Sequence, residues 1–234
     1  MSNIINIKDL RFCWPGNDID TLAIDSLTID SGEKVFIRGA SGSGKTTLLN
    51  LLSGVSESNE GCVEVLGQDI KALRPAERDR FRAQHIGYIF QAFNLVPYLS
   101  MHENVALACH FSKAREARAL SQSNSLDVEV ERLLEHLELG KDLIGKPVTN
   151  LSIGQQQRVA AARALIGRPE IIIADEPTSS LDKDLQQRFL ELLFQEVEAC
   201  GSTLVFVSHD ALIESLFDRT IQLSAINRVQ ELDT

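Results

Sequence analysis

Apolar runs bounded by turn residues recur along the chain and set its expected architecture. Lys34-Val35-Phe36-Ile37-Arg38, Ile86-Gly87-Tyr88-Ile89-Phe90, Glu170-Ile171-Ile172-Ile173-Ala174 and Thr203-Leu204-Val205-Phe206-Val207 are short, β-prone and apolar at their centres. Each reads as a buried strand. Residues 4–12 and 22–37, broken by Pro15-Gly16-Asn17-Asp18 and Asp30-Ser31-Gly32, predict small antiparallel strands, and Gly61 to Gly67 predicts another. Helical spacing takes over elsewhere. Thr47 to Leu52 reads as a core helix, and the run from Arg74 to Arg82 as a solvated helix face. Residues 92–167 are mostly helical in pattern, with one stripe of Val130, Leu133, Leu134 and Leu137 ended by Gly140. Ser121 to Ser125 is a polar loop, and Gln156 to Ile166 a helical stretch. Leu185, Phe189, Leu192, Leu193 and Val197 mark a further helix by its core positions. No internal repeat or long linker interrupts the series, so one compact α/β unit over 1–234 is expected.

Composition narrows the classes. The 234 residues suffice for a sizeable core, and 44% hydrophobic with 24% charged residues is ordinary for a soluble globular protein. A formal net charge of −10 argues against a surface built for nucleic-acid phosphates or anionic lipid heads. Cys13, Cys62, Cys109 and Cys200 are scattered without a C-x-x-C, which points to reduced thiols and a cytoplasmic setting. The start lacks the basic and long apolar parts of a signal peptide, and no run is long enough to span a bilayer. A transport role would therefore need another chain for the membrane path.

The candidate chemistry starts at Gly39-Ala40-Ser41-Gly42-Ser43-Gly44-Lys45-Thr46, a G-x-x-x-x-G-K-[ST] loop between a predicted strand and a predicted helix. Glycines let successive N–H groups turn inward towards phosphate oxygens, and a helix N-terminus adds positive potential. Lys45 can reach the β- and γ-phosphates, while the Thr46 hydroxyl can ligate Mg²⁺. The loop alone indicates only a nucleoside triphosphate.

Other polar residues stand at predicted strand tips, where open α/β sheets bind ligands. Gln91 follows the strand at 86–90; it is a polar strand cap or a ligand to water and metal. Asp175 and Glu176 end the apolar run at 171–174, where two carboxylates lose solvation unless a cation is near. Mg²⁺ held by Thr46 and Asp175 would supply one, leaving Glu176 to deprotonate water. His209 follows the strand at 203–207. Leu151-Ser152-Ile153-Gly154-Gln155 opens a helix, where Ser152 can cap it or hold a phosphate. Trp14 lies between turn signals, either stacking on a base or packing. His85, His102, His110 and His136 fit no metal spacing and read as surface or structural residues.

In this order the pieces resemble the ATP-binding cassette (ABC) family of ATPases, over essentially the whole chain to about residue 224. The resemblance makes residues 39–46 the Walker A loop, Gln91 the Q-loop, Leu151 to Gln155 the signature motif, Ile171 to Glu176 Walker B, Ser180-Leu181-Asp182 the D-loop and His209 the switch histidine. It implies a P-loop NTPase fold: a RecA-like core with an N-terminal antiparallel β-subdomain (about 1–91 and 168–234) and an inserted α-helical subdomain (about 92–167). The implied cofactors are ATP and Mg²⁺. Trp14 falls at the A-loop aromatic expected to stack on adenine. The implied nucleotide ligands are Gly39, Ala40, Ser41, Gly42, Ser43, Gly44, Lys45, Thr46 and Thr47, with Ser152, Gly154, Gln155 and Asp182 from a second, head-to-tail copy. Thr46, Gln91 and Asp175 would serve the metal, and Glu176, His209, Gln91 and Lys45 the reaction. One departure stands out: the family usually has glycine where this chain has Ile153, and a β-branched residue there forbids left-handed angles and adds bulk.

Ile86 to Pro97 further resembles the lipoprotein-release and macrolide-export branch (LolD/MacB/FtsE-like), and Gln155 to Ala160 supports that placement. The branch implies an ATP-hydrolysing subunit coupled to a separate integral membrane permease of MacB/LolC/LolE type, peripheral on the inner face of the cell membrane. Phe93, Leu95, Pro97 and Leu99 would line the groove for the permease's coupling helix or fill the local core. A cell-division regulator pulling on a membrane partner is the alternative. A soluble cassette acting on DNA or the ribosome is disfavoured by the acidity and by the lack of a coiled-coil insertion.

Overall fold

A computed structural model describes residues 3–229. In chain order its strands are β1 (Asn3–Phe12), β2 (Leu22–Asp30), β3 (Lys34–Arg38), β4 (Glu60–Val65), β5 (Gln68–Asp69), β6 (Ile86–Ile89), β7 (Ile171–Asp175), β8 (Thr203–Ser208) and β9 (Arg219–Gln222). The α-helices are α1 (Lys45–Leu52), α2 (Pro75–His85), α3 (Met101–Phe111), α4 (Lys113–Leu120), α5 (Leu126–His136), α6 (Ile153–Leu165), α7 (Lys183–Cys200) and α8 (Leu223–Ile226). The chain forms two compact units, one from the residues up to Arg82 with those from Val205 onward, the other from Ala83 to Leu204.

In the first unit an antiparallel sheet runs β2-β1-β4-β5, as the alternating N-terminal runs predict. Lys34–Arg38 belongs elsewhere: β3 pairs parallel with β9, Arg38 opposite Gln222. Val35, Phe36 and Ile37 are completely buried, which is why that strand reads as continuously apolar rather than alternating. It delivers the chain directly into Gly39.

In the second unit β6 and β7 pair in parallel from Ile86↔Ile171 to Ile89↔Ala174, so both strands end at the same level. Helix α6 lies against β6 at Gly87, where an added Cβ would sit 2.2 Å from the Ala164 carbonyl oxygen. The buried Arg115 guanidinium ties down the end of that helix, donating to the carbonyls of Ala164 (2.6 Å) and Ile166 (2.8 Å from Nε). Burial lowers its pKa to about 10.

Some boundaries differ from expectation for local reasons. The α5 stripe is buried as predicted, but Glu138 (φ 57°), not Gly140 (φ −65°), takes the left-handed position after that helix. Helix α6 starts at Ile153, ahead of Gln156, because a capping box on Ser152 holds its first turn. Leu185 shares the spacing of the α7 core positions yet is 46% exposed, since it sits in the first turn beside the chain entry.

Candidate active site

The Gly39–Thr47 loop is shaped as an anion cradle. Gly42 (φ 79°) and Gly44 (φ 96°) take left-handed angles that side-chain-bearing residues resist, and Gly44 caps α1 without any side-chain hydrogen bond. The Lys45 ammonium, 7% exposed, donates to the carbonyls of Gly39 and Ala40, both at 2.9 Å, which folds the loop over its own stem. Ser43 Oγ is buried with no hydrogen-bond partner. A Cβ at Gly39 would lie 2.5 Å from that oxygen, so the glycine is needed where it stands. An orphaned hydroxyl, a helix N-terminus and a lysine over a glycine loop form a donor set for phosphate oxygens. An open cavity of about 610 Å³ runs alongside, lined by Asp20, Thr21, Gly42, Ser43 and Asn227 among others. Thr46 is exposed and Thr47 buried, and Ala40 and Ser41 form the exposed crown of the loop.

The same unit carries Trp14 and His209. Trp14 is T-shaped against Phe12 (centroids 4.9 Å, 87°) but 40% exposed, so packing holds the ring without consuming it. Its segment is fixed from below, Cys13 N–H donating to Asn59 Oδ1 at 2.7 Å and Thr21 N–H to the Phe12 carbonyl at 2.7 Å. His209 is exposed at the end of β8, between Ser208 and Asp210, and Asp210 caps the 3₁₀ turn Ala211–Leu216.

In the second unit Gln91 stands two residues beyond Ile89 and Glu176 two beyond Ala174, the last residues paired between β6 and β7. Gln91, Asp175 and Glu176 therefore emerge together from neighbouring strand ends. Asp175 is 8% exposed. Burial, and next the Asp175 charge, push the Tyr88 phenol pKa well above its ordinary value, which places that carboxylate by the β6 strand. Glu176 has φ 44°, a left-handed angle costly for a non-glycine residue, and its carbonyl accepts the Ser179 N–H at 3.2 Å. Strain of this kind concentrates where side-chain direction matters.

Ser152 and Gln155 cap α6 reciprocally: Ser152 Oγ accepts the Gln155 N–H (3.3 Å) and Gln155 Oε1 the Ser152 N–H (2.9 Å). The hydroxyl proton of Ser152 is not used in either bond, and Ser152 is exposed. Ile153 is the first helical residue, 54% exposed and absent from the left-handed residues, so the backbone objection to isoleucine does not apply; only its bulk remains. Asp182 accepts the Leu185 N–H at 2.9 Å as the cap of α7.

Several supports carry no sequence signal. Arg163 donates to the carbonyls of Phe93 (2.6 Å) and Asn94 (2.7 Å), consecutive left-handed residues after Gln91. Buried Asn104 binds Val96 through both amide ends, at 2.8 and 3.1 Å. Phe93 is buried and Pro97 exposed, so the four apolar residues after Gln91 divide between core and surface.

Thr46 lies in one unit, and Gln91 and Asp175 in the other. Among the described residues no group of three or more His, Cys, Asp or Glu could hold a metal ion. Taken residue by residue, a hydroxyl, a carboxylate and an amide oxygen are all hard oxygen donors, the kind that Mg²⁺ accepts beside waters and phosphate oxygens.

Comparison with known proteins adds an independent line. Residues 22–179 match the family described as ABC transporter. The macrolide export ATP-binding/permease protein MacB of Rhodopirellula baltica is 40% identical over 208 residues, 88% of this chain but 29% of that protein. The lipoprotein-releasing system ATP-binding protein LolD of Syntrophotalea carbinolica is 38% identical over 208 residues, covering 88% of this chain and 87% of LolD. An uncharacterized ABC transporter ATP-binding protein of Escherichia coli K12, YbbA, is 37% identical over 207 residues, again 88% and 87%. Among solved structures, the dimeric post-hydrolysis state of the ATP-binding cassette MJ0796 bound to ADP and Pi superposes with a TM-score of 0.79 at 32% identity, covering 98% of this chain and 99% of that one. The chain belongs to the ABC transporter family, as an ATP-binding cassette.

Proposed function

We propose that this ABC-type ATPase is the energising subunit of a membrane export or lipoprotein-release-like complex, acting as a head-to-tail homodimer on a separate permease of MacB/LolC/LolE type. The cradle carries the reading: buried Ser43 Oγ without a partner, beside Lys45 and the N-terminus of α1. Trp14 stacks on adenine, and residues 39–47 hold the phosphates. Mg²⁺, held by Thr46, Gln91 and Asp175, would neutralise charge on the β- and γ-phosphates. Glu176 takes a proton from the attacking water as the water oxygen bonds to the γ-phosphorus and the bond to the β-phosphate oxygen breaks, releasing ADP and phosphate. His209 and Gln91 keep that water and the γ-phosphate in line.

The helix end at exposed Ser152 and half-buried Gly154, with Gln155 and Asp182, caps the nucleotide of the second copy. ATP then favours the closed pair, because only there does the triphosphate touch both halves. No described helix is long and apolar enough to cross a membrane, in keeping with a subunit docked on the cytoplasmic side of its permease. The MacB and LolD relatives support that partner class.

Glu176→Gln tests the mechanism. It should bind ATP yet hydrolyse it about 10²–10⁴ times more slowly, the usual general-base effect. Light scattering should find it dimeric under saturating ATP and Mg²⁺. A monomer under those conditions sinks the dimer engine, and wild-type turnover removes Glu176 as the base. Capture of the tagged chain from membranes with a permease of few spans checks the partner.

A further inference from the structure

We propose that the short C-terminal element from Gln222 to Val229 braces the phosphate cradle, and that Asn227 is a positioning residue for nucleotide binding; this rests on reading residues 39–47 as that cradle.

The element reaches the loop at both ends. At the entrance, Arg38 of β3 pairs with Gln222, and the next residue, fully buried Leu223, leaves only 3.4 Å between its Cβ and a Cβ placed on Gly39. At the exit, a Cβ on Gly44 would lie 2.8 Å from Leu22 Cδ2 and 3.4 Å from the Thr21 carbonyl oxygen. Thr21 and Leu22 thus back the left-handed residue that starts α1.

Asn227 holds those backing residues in place. Its Oδ1 accepts the Ala23 N–H at 2.8 Å and its Nδ2 donates to the Thr21 carbonyl at 3.1 Å, one side chain spanning Leu22 on both sides. Its own N–H reaches the Leu223 carbonyl at 2.8 Å, which joins the exit brace to the entrance brace. Arg228 N–H to the Ala23 carbonyl, 2.8 Å, extends the seam. A primary amide is required: a donor and an acceptor side by side match a carbonyl and an N–H two residues apart on an extended strand. Thr21, Asn227, Gly42 and Ser43 line one cavity, so the brace and the cradle share a wall.

Preorganisation gives this consequence. The cradle spends no binding energy on ordering itself while Leu22 is held, and must order on binding once it is not. The test compares Asn227→Ala, Asn227→Asp, which keeps the acceptor and loses the donor, and Asp25→Ala, which removes the exposed Arg228–Asp25 ion pair (2.5 Å) on the same segment. Hydrogen exchange of residues 39–47 without nucleotide reads the brace directly. It should accelerate in Asn227→Ala, less in Asn227→Asp, and not in Asp25→Ala. Labelled-ATP titration should weaken about 3- to 30-fold, the range for losing one or two neutral hydrogen bonds, with kcat at saturating ATP within about twofold. Unchanged exchange in both Asn227 variants overturns the brace, as does equal acceleration by Asp25→Ala. Faster exchange in a protein whose wild type binds no ATP supports the brace and rejects the cradle reading.

Discussion

Ser43→Ala separates a residue kept for a ligand from one kept for the fold, because its two effects have opposite signs. Ser43 Oγ is buried and has no hydrogen-bond partner within the protein. A buried, unsatisfied hydroxyl carries a desolvation penalty of about 1–3 kcal/mol. Ser43 itself is only half-buried, and removing one oxygen forfeits little packing, so the low end applies. The variant without nucleotide should gain about 1 kcal/mol, raising Tm by about 2–4 °C for a chain of this size. ATP binding should move the other way. A hydrogen bond to a charged partner contributes about 1.5–3 kcal/mol, so affinity should fall by about 10- to 150-fold. Scanning calorimetry without nucleotide gives the first quantity and equilibrium titration with labelled ATP the second. A lowered Tm with unchanged affinity refutes the reasoning, because the hydroxyl would then be satisfied within the protein.

Gly87→Ala should be severe despite the smallness of the change. Gly87 has no left-handed angle, so the cost is steric: its Cβ would meet the Ala164 carbonyl at 2.2 Å, about 1 Å inside ordinary C···O contact. Backbone faces backbone, so the loss should reach the top of the overpacking range, about 3 kcal/mol by urea unfolding, and a loss under about 0.5 kcal/mol would mean α6 yields freely. Trp14, the single tryptophan, should report ATP by a change in fluorescence; an unchanged spectrum rejects stacking.

The parts of the site that were legible in the sequence are those fixed by contiguous residues. The phosphate loop needs glycines at set offsets between a strand and a helix, and Gly42, Gly44 and Lys45 meet that need within one short stretch. The strand tips were legible for the same reason, since the apolar run at 171–174 leads straight into two adjacent carboxylates, Asp175-Glu176. The illegible parts are supports whose partners lie far off in the chain. Nothing near Asn227 announces that its amide spans Leu22, more than 200 residues earlier. Arg115, likewise, sits in a charged run that looks solvated yet is 3% exposed beneath α6.

Ile153 shows how the two kinds of information combine. Family resemblance set a β-branched residue where glycine is usual, raising both backbone angles and bulk at the helix tip. The capping box settles the backbone independently of position 153: Ser152 and Gln155 satisfy each other's N–H groups, and the first helical residue needs only ordinary right-handed angles. What the isoleucine changes is the surface. Its side chain is 54% exposed beside Ser152, at the tip that the dimer reading turns towards the other copy. In the closed pair proposed above, that apolar surface would be desolvated against the partner. On that reading the residue would act on the closing equilibrium and leave the helix intact, so its effect would be found in ATP-dependent dimerisation rather than in the stability of the single chain.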